Sequence, residues 1–122
     1  MTNLLSVAFS ADGSTLATSA VDNFVRLLDA ATGKELAALP GHSQPISSVT
    51  FSADGSLLAS GSADTTIKLW MASGQVAATL TGHAGHVTCV AFSPDAATLA
   101  SASADKTIRL WASTVKPAKH RP

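Results

Sequence analysis

Serine, histidine and aspartate recur in this chain at fixed distances, and together those side chains are what a hydrolase uses to activate a hydroxyl nucleophile. His42 is followed 22 residues later by Asp64, and His83 by Asp105 at the same interval. Trp70 and Trp111 stand six residues beyond each aspartate, Gly41 and Gly82 precede the histidines, and serines lie in between. A catalytic triad, however, is one asymmetric constellation in one cleft, with a strained elbow under its nucleophile and donors assembled for the oxyanion. A set that recurs once per repeat with neither feature is read as structural, and no catalytic residue is assigned. The other reactive side chains are read in the same way. His86 and His120 lack companions at metal-ligand spacing, so neither a metal nor a cofactor is expected. Cys89, within an apolar strand, is taken as a small buried hydrophobe, and Trp70 and Trp111 as core.

Side chains that recur must be positioned by elements that recur, and the segments SVAFSADGSTLATSAVDNFVRLL (6–28), SVTFSADGSLLASGSADTTIKLW (48–70) and CVAFSPDAATLASASADKTIRLW (89–111) align without gaps. Phe9, Phe51 and Phe92 mark periods of 42 and 41 residues. No apolar stripe of helical period is long enough for a helix, and each unit reads as short strands. The first strand is expected near Val7 to Ser10, Val49 to Ser52 and Val90 to Ser93; the second near Leu16 to Ala20, Leu58 to Ser62 and Leu99 to Ser103. The third is expected near Val25 to Leu28, Ile67 to Trp70 and Ile108 to Trp111, and the fourth at Glu35 to Leu39 and Val76 to Leu80, with none in the third unit. Gly13 and Gly55 supply a residue free to take positive φ between the first two strands, and Gly33 and Gly74 open the fourth. The third unit has Asp95-Ala96-Ala97 where the others have a glycine turn, which predicts a strained hairpin or one of another type.

At 122 residues the chain has room for one domain, and a composition of 46% hydrophobic and 13% charged residues excludes a disordered, collagenous or disulfide-stapled chain. Eight basic residues balance eight acidic ones, so no net field draws the chain to nucleic acid or anionic lipid, and neither is expected as a partner. Lys116, Lys119 and Arg121 concentrate positive charge at the end, leaving the body near −3. A lone cysteine and an N-terminus without basic or apolar regions point to an intracellular compartment, cytoplasmic with a nuclear location left open. No apolar stretch approaches the roughly 18 residues of a membrane span.

The repeated GH, Asp and Trp spacing resembles the WD-repeat (WD40-type) family of β-propellers, over nearly the whole chain up to about Ser113. The Asp that names the family is absent after both tryptophans, replaced by Met71 and Ala112, while the first unit keeps Asp29 behind Leu28. The resemblance implies an all-β fold of three blades of antiparallel strands, an open wedge or half of a six-bladed assembly. The blades would lie at about 4–39, 46–80 and 87–112 within a repeat region 1–113, followed by a basic tail 114–122 expected to be disordered. It also implies structural tetrads of loop His, strand Ser or Thr, turn Asp and strand Trp: His42, Ser60, Asp64 and Trp70 in the second unit, His83, Ser101, Asp105 and Trp111 in the third. The first unit retains only Thr18 and Asp22.

Closed propellers have four to eight blades. Met1-Thr2-Asn3 leads almost directly into the first strand and the third unit lacks a fourth, so closure within the chain is not expected. An open wedge, a homodimer completing six blades, or an excerpt of a longer propeller remain as alternatives. The family implies a non-catalytic protein-interaction or scaffold module whose partner is a protein or peptide; the alternative is a truncated excerpt with no binding of its own. By the same resemblance the partner-facing loops would hold Ser43, Gln44, Ala84, Gly85 and His86, with Val21, Ala63 and Ala104 before the turn aspartates.

Overall fold

The computed structural model describes residues 4–71, 74–95 and 97–112, so the expectations at Ala96, at His120 and for the basic tail lie outside the described residues. Eleven strands follow one another without a helix among the described residues: β1 (Leu4–Phe9), β2 (Thr15–Ala20), β3 (Val25–Asp29), β4 (Glu35–Leu39), β5 (Ile46–Phe51), β6 (Leu57–Ser62), β7 (Ile67–Met71), β8 (Val76–Leu80), β9 (Val87–Phe92), β10 (Thr98–Ser103) and β11 (Ile108–Ala112). They form three antiparallel meanders, β1-β2-β3-β4, β5-β6-β7-β8 and β9-β10-β11. The loops match their sequence. Gly13, Gly55, Gly33 and Gly74 take φ of 75°, 77°, 77° and 92°, a region closed to most side chains.

The first strand of each sheet begins three residues before the alternation predicted it, and ends one earlier. The reason is a bulge: in the β1–β2 and β5–β6 ladders the register jumps from Leu4 to Ser6 and from Ile46 to Ser48, and in β9–β10 from Val87 to Cys89. An extra residue breaks the period of two, so a reading by alternation stops there. The bulged residue is put to use. The Ser47 hydroxyl reaches the carbonyls of Gly61 and Val87, and the Thr88 hydroxyl that of Ala102. Unforeseen too were the turns between second and third strands, where Asn23, Thr65 and Lys106 take φ of 73°, 78° and 73°. Each follows a turn aspartate whose Oδ1 accepts the amide two residues on, at Phe24, Thr66 and Thr107, which holds a conformation that costs a non-glycine residue about 1 kcal/mol.

The sheets stack face to face. Ala17, Val25 and Leu39 of the first meet Ile46, Val49, Leu58 and Trp70 of the second, with Leu27 and Phe51 at the margin. Ala59, Ile67 and Leu69 of the second meet Val87, Val90 and Leu99 of the third, with Phe92 and Trp111 beside them. The two joints are the same joint, one repeat apart. A hydrogen bond from backbone to side chain stitches each: the Val49 N–H donates to Ser6 Oγ, and the Val90 N–H to Ser48 Oγ, both at 3.2 Å. The innermost strands β1, β5 and β9 thus run side by side in equivalent registers.

Among the described residues the first and third sheets are each covered on one face only, and equivalent residues change environment there. Val7 and Phe9 are 61% and 64% exposed, whereas Val49 is 5%. Ile108 and Leu110 are 74% and 72% exposed, whereas Ile67 and Leu69 are 0% and 1%. Cys89 is exposed as well, which corrects its reading as a buried hydrophobe. It lies on β9 at the place of Ser6 and Ser48, and the face those serines share with a following sheet is uncovered there.

The tight side of the second joint is Gly61, where an added Cβ would sit 2.6 Å from Val87 Cγ1. Ser19 holds that place in the first sheet, its hydroxyl buried with no hydrogen-bond partner among the described residues. Gly61→Ala is therefore expected to lower stability by about 1–3 kcal/mol, because a β-branched neighbour cannot yield cheaply. Ser19→Ala should leave stability unchanged or raise it by up to about 1 kcal/mol, since it removes a buried hydroxyl without a partner. Urea denaturation of both variants checks this; a Gly61→Ala variant as stable as its parent would mean that Val87 moves aside freely.

Candidate functional site

Strand register brings the recurring side chains together. In the second sheet Ser60 on β6 pairs with Lys68 on β7, so Trp70 falls two residues along on the same face, and the β6–β7 turn returns Asp64 toward the loop that carries His42. The Trp70 Nε1–H donates to Ser60 Oγ at 2.9 Å, the Ser60 hydroxyl meets His42 Nε2 at 2.7 Å, and His42 Nδ1 meets Asp64 Oδ2 at 2.9 Å. The third sheet repeats this with Trp111, Ser101, His83 and Asp105 at 2.9, 2.7 and 2.9 Å. An indole can only donate and a carboxylate can only accept, which fixes the direction of the chain between them. The serine accepts from tryptophan and donates to Nε2, and Nδ1–H donates to aspartate; the imidazole that satisfies every member is neutral.

Electrostatics agree with that tautomer. Burial lowers the pKa of His42, against the opposing pull of Asp64, and Lys68 pushes the same way as burial. Asp64 is partly buried, which would raise its pKa, yet hydrogen bonds from the Thr66 hydroxyl and amide, from His42 and from the Ser43 amide bring it down to about 2. For Asp105 the Thr107 hydroxyl leads, and despite some desolvation the Ala84 amide and His83 help hold it well below the usual carboxylate range. Both aspartates are thus anchors that stay charged.

What the anchors hold are the loops. The Ser43 N–H donates to Asp64 Oδ2 at 3.0 Å, and the Ala84 N–H to Asp105 Oδ2 at 2.9 Å. The Ala63 N–H reaches the Pro45 carbonyl and the Ala104 N–H the His86 carbonyl, while the Ser62 hydroxyl bonds the Gln44 carbonyl. The residues named above for a partner surface therefore gather at one end of each sheet. Ser43, Gln44, Ala84, His86, Ala104 and Val21 are exposed, and Ala63 and Gly85 are half-buried beside them. Gly85 is confined as well as small, with a built Cβ 3.0 Å from the Asp105 nitrogen.

The first sheet is different. Thr18 is buried and Asp22 sits in its turn, but the position of the relay tryptophan is Leu28. Arg26, which sequence reasoning passed over, takes up Asp22 through a short ion pair, reaches Glu35 Oε1 at 3.3 Å and covers the Phe24 ring. Its alternate-residue placement opposite Thr18 on β3 was the available signal. The Ser6 and Ser48 stitches were also missed; the shared first residue of the aligned segments pointed to them.

As chemistry, the relays are closed circuits. Both serine oxygens are buried and already engaged at both ends, which leaves no nucleophile to present. Among the described residues no group of histidine, cysteine and acidic side chains is arranged to hold a metal. A groove of about 530 Å³ between the first two sheets is lined by Leu36, Phe51 and Met71 with Asp12 and Asp54 at its rim. Those carboxylates accept bonds from serines of their own turns, Ser10 and Ser14 for one, Ser52 and Ser56 for the other, and form no catalytic pair.

Comparison with known proteins gives two positive findings. The family described as WD domain, G-beta repeat matches residues 2–29, 33–71 and 74–112. A solved structure titled "Structure of U3-55K" superposes with a TM-score of 0.89 at 28% identity, covering 92% of this chain and 36% of that one. The chain thus spans about a third of the length of that structure. No curated protein matches it.

Two acid-linked effects follow from the relay. A histidine whose folded pKa lies below its unfolded value contributes stability above about pH 6.5, and that stability is lost as pH falls through this value toward the folded one. Asp64 contributes stability above about pH 4, lost as pH falls toward 2. Stability measured by urea denaturation should thus decline from pH 7 to 5 and again below 4. His42→Ala should cost about 1–3 kcal/mol at pH 7 by stranding buried partners, and should flatten the first decline. A parent profile flat between pH 7 and 5 would contradict the neutral relay.

Proposed function

The chain belongs to the WD domain, G-beta repeat family, whose repeats are generally non-catalytic scaffolds for protein interaction, and on that premise we propose that it presents its loop face to a protein or peptide partner. The observation that supports this reading is the union of exposure and fixity. Ser43 and Ala84 face solvent, yet their amides are tied to charged aspartates that are themselves held by the relays. A surface fixed in advance spares the partner the cost of ordering it. Its side chains are small and weakly polar, so an extended backbone could approach closely, and hydrogen bonding rather than aromatic anchoring would carry affinity. The lone Cys89 supports an intracellular setting, cytoplasmic or nuclear.

A second reading is favoured by the 36% coverage of the solved relative: the chain is an excerpt of a larger propeller and binds nothing by itself. A homodimer of two three-blade chains would escape that fate by completing a ring of six.

Peptides selected by display against the 122-residue chain separate the readings. Their footprints, mapped by amide shifts, should fall on 41–45, 82–86 and the turns at Val21, Ala63 and Ala104. Ser43→Arg and Ala84→Arg should weaken them at least tenfold with unchanged melting temperature. Footprints elsewhere, or none at all, would overturn the interaction reading.

A further inference from the structure

We propose that the groove between the first two sheets, at the end away from the relay loops, binds an extended basic peptide, with an apolar side chain set between Leu36, Phe51 and Met71 and a lysine or arginine meeting Asp12 and Asp54 at the rim. The proposal goes beyond the loop-face reading and does not depend on it. β5 and β6 meet the loop end at Ile46 and Ser62 and reach the other end at Phe51 and Leu58, where Leu57 pairs with Met71. Both walls belong to sheets that pack on each other within the chain, so the groove is part of a complete joint. Its volume of about 530 Å³ falls within the roughly 300–1,000 Å³ of ligand clefts.

Its exposed apolar side chains are particular to this joint. Leu36 and Met71 are 56% and 45% exposed, and one repeat on, by ladder register, Ala77 and Ala112 hold their places. The repeat therefore packs without either side chain. Leu36 is the extra residue of a bulge in the β3–β4 ladder, and a bulge re-aims a side chain. Methionine adapts its shape to whatever it meets. Leu36, Ala37 and Leu39 belong to β4, the outer strand of its sheet among the described residues, so the groove runs beside a free backbone edge. An extended segment can hydrogen-bond such an edge while its alternate side chains enter a pocket, which favours a peptide as the occupant.

The rim supplies the sign of the charge. Asp12 accepts from the Ser10 and Ser14 hydroxyls and the Ser14 amide, and Asp54 from the Ser52 and Ser56 hydroxyls and the Ser56 amide, all on Oδ1. Those turns leave Oδ2 of each exposed carboxylate open. The Ser14 amide leads in bringing the pKa of Asp12 down to about 2, and the Ser52 hydroxyl leads in bringing that of Asp54 to about 2, so both stay charged at neutral pH. No lysine, arginine or histidine is among the residues that line the groove. Two fixed negative charges over an apolar floor complement a segment that sets a cation near an apolar side chain, and repel an acidic one.

Short acetylated peptides, each with one leucine and one arginine at varied spacing in a glycine–serine background, test this when titrated against the 122-residue chain and followed by amide shifts. At least one spacing is expected to saturate below about 1 mM, with shifts at 10–15, 36–37, 51–57 and Met71. Glutamate in place of the arginine, or alanine in place of the leucine, should weaken binding about fivefold or more, and about 0.5 M salt should weaken it too. Asp12→Asn with Asp54→Asn keeps the Oδ1 acceptor of both turns, and Leu36→Ala with Met71→Ala installs the residues of the next repeat. Each double variant should therefore stay folded by circular dichroism and bind about tenfold more weakly or worse. No saturation at any spacing, a glutamate peptide that binds as tightly, or affinity unchanged in both double variants would each overturn the proposal. Loop-directed peptides should bind the Asp12→Asn, Asp54→Asn variant as they bind the parent, so failure of the groove and failure of the loop face are told apart.

Discussion

A sheet of three or four strands, each of five or six residues, has two apolar faces and no thickness, so it cannot bury either face by itself. Everything else in this molecule answers that constraint. One face sets a small residue among branched ones, Ala17 with Val25 and Leu39, Ala59 with Ile67 and Leu69, and the face it meets carries Val49, Leu58 and Trp70 in one joint and Val87, Val90 and Leu99 in the other. Unlike faces fit where like faces would leave gaps or collide. The middle sheet, covered on both sides, has its second strand buried from end to end, while its neighbours are each covered on one side only. Stability in such a stack is set by neighbours as much as by the sheet itself.

The relays extend the same logic from the faces to the ends. Stacking leaves the loops at the strand ends without apolar support, and a hydrogen-bonded chain supplies it instead. Trp70 lies in the joint between the first two sheets, and through Ser60, His42 and Asp64 its position is handed on to the Ser43 amide. A buried network of this kind is worth having only when complete, because each unpaired member carries its own desolvation penalty. Where the histidine and tryptophan are missing, in the first sheet, Arg26 neutralises Asp22 at the surface in their place.

Much of this was legible in the residues. Twofold alternation and the glycine turns located the second, third and fourth strands to within a residue, because those signals are local. The relay members were named only through the resemblance to WD repeats, carried over by position, and the ladder register is what turns such a fixed sequence interval into a fixed distance. What alternation hid was what interrupts it: the bulges at Leu5, Ser47 and Thr88, and the left-handed residues after the turn aspartates. Cys89 was misjudged for another reason. Its neighbours in sequence are apolar, but whether it is buried depends on a sheet that would have to lie beyond it, and burial in a stack is a property of neighbours that local sequence does not encode.

The third sheet ends on β11, whose only ladder partner among the described residues is β10. An edge of that kind is a template for any extended segment that meets it, and here it also bears Ile108 and Leu110 bare on one side. Between them stands Arg109, and Lys106 guards the turn just before. Two like charges meeting along a growing row of strands repel, so these cations act as gatekeepers against runaway fibrillar growth. A charge at Arg109 thus opposes edge-to-edge pairing along β11, a task separate from the packing of the two joints.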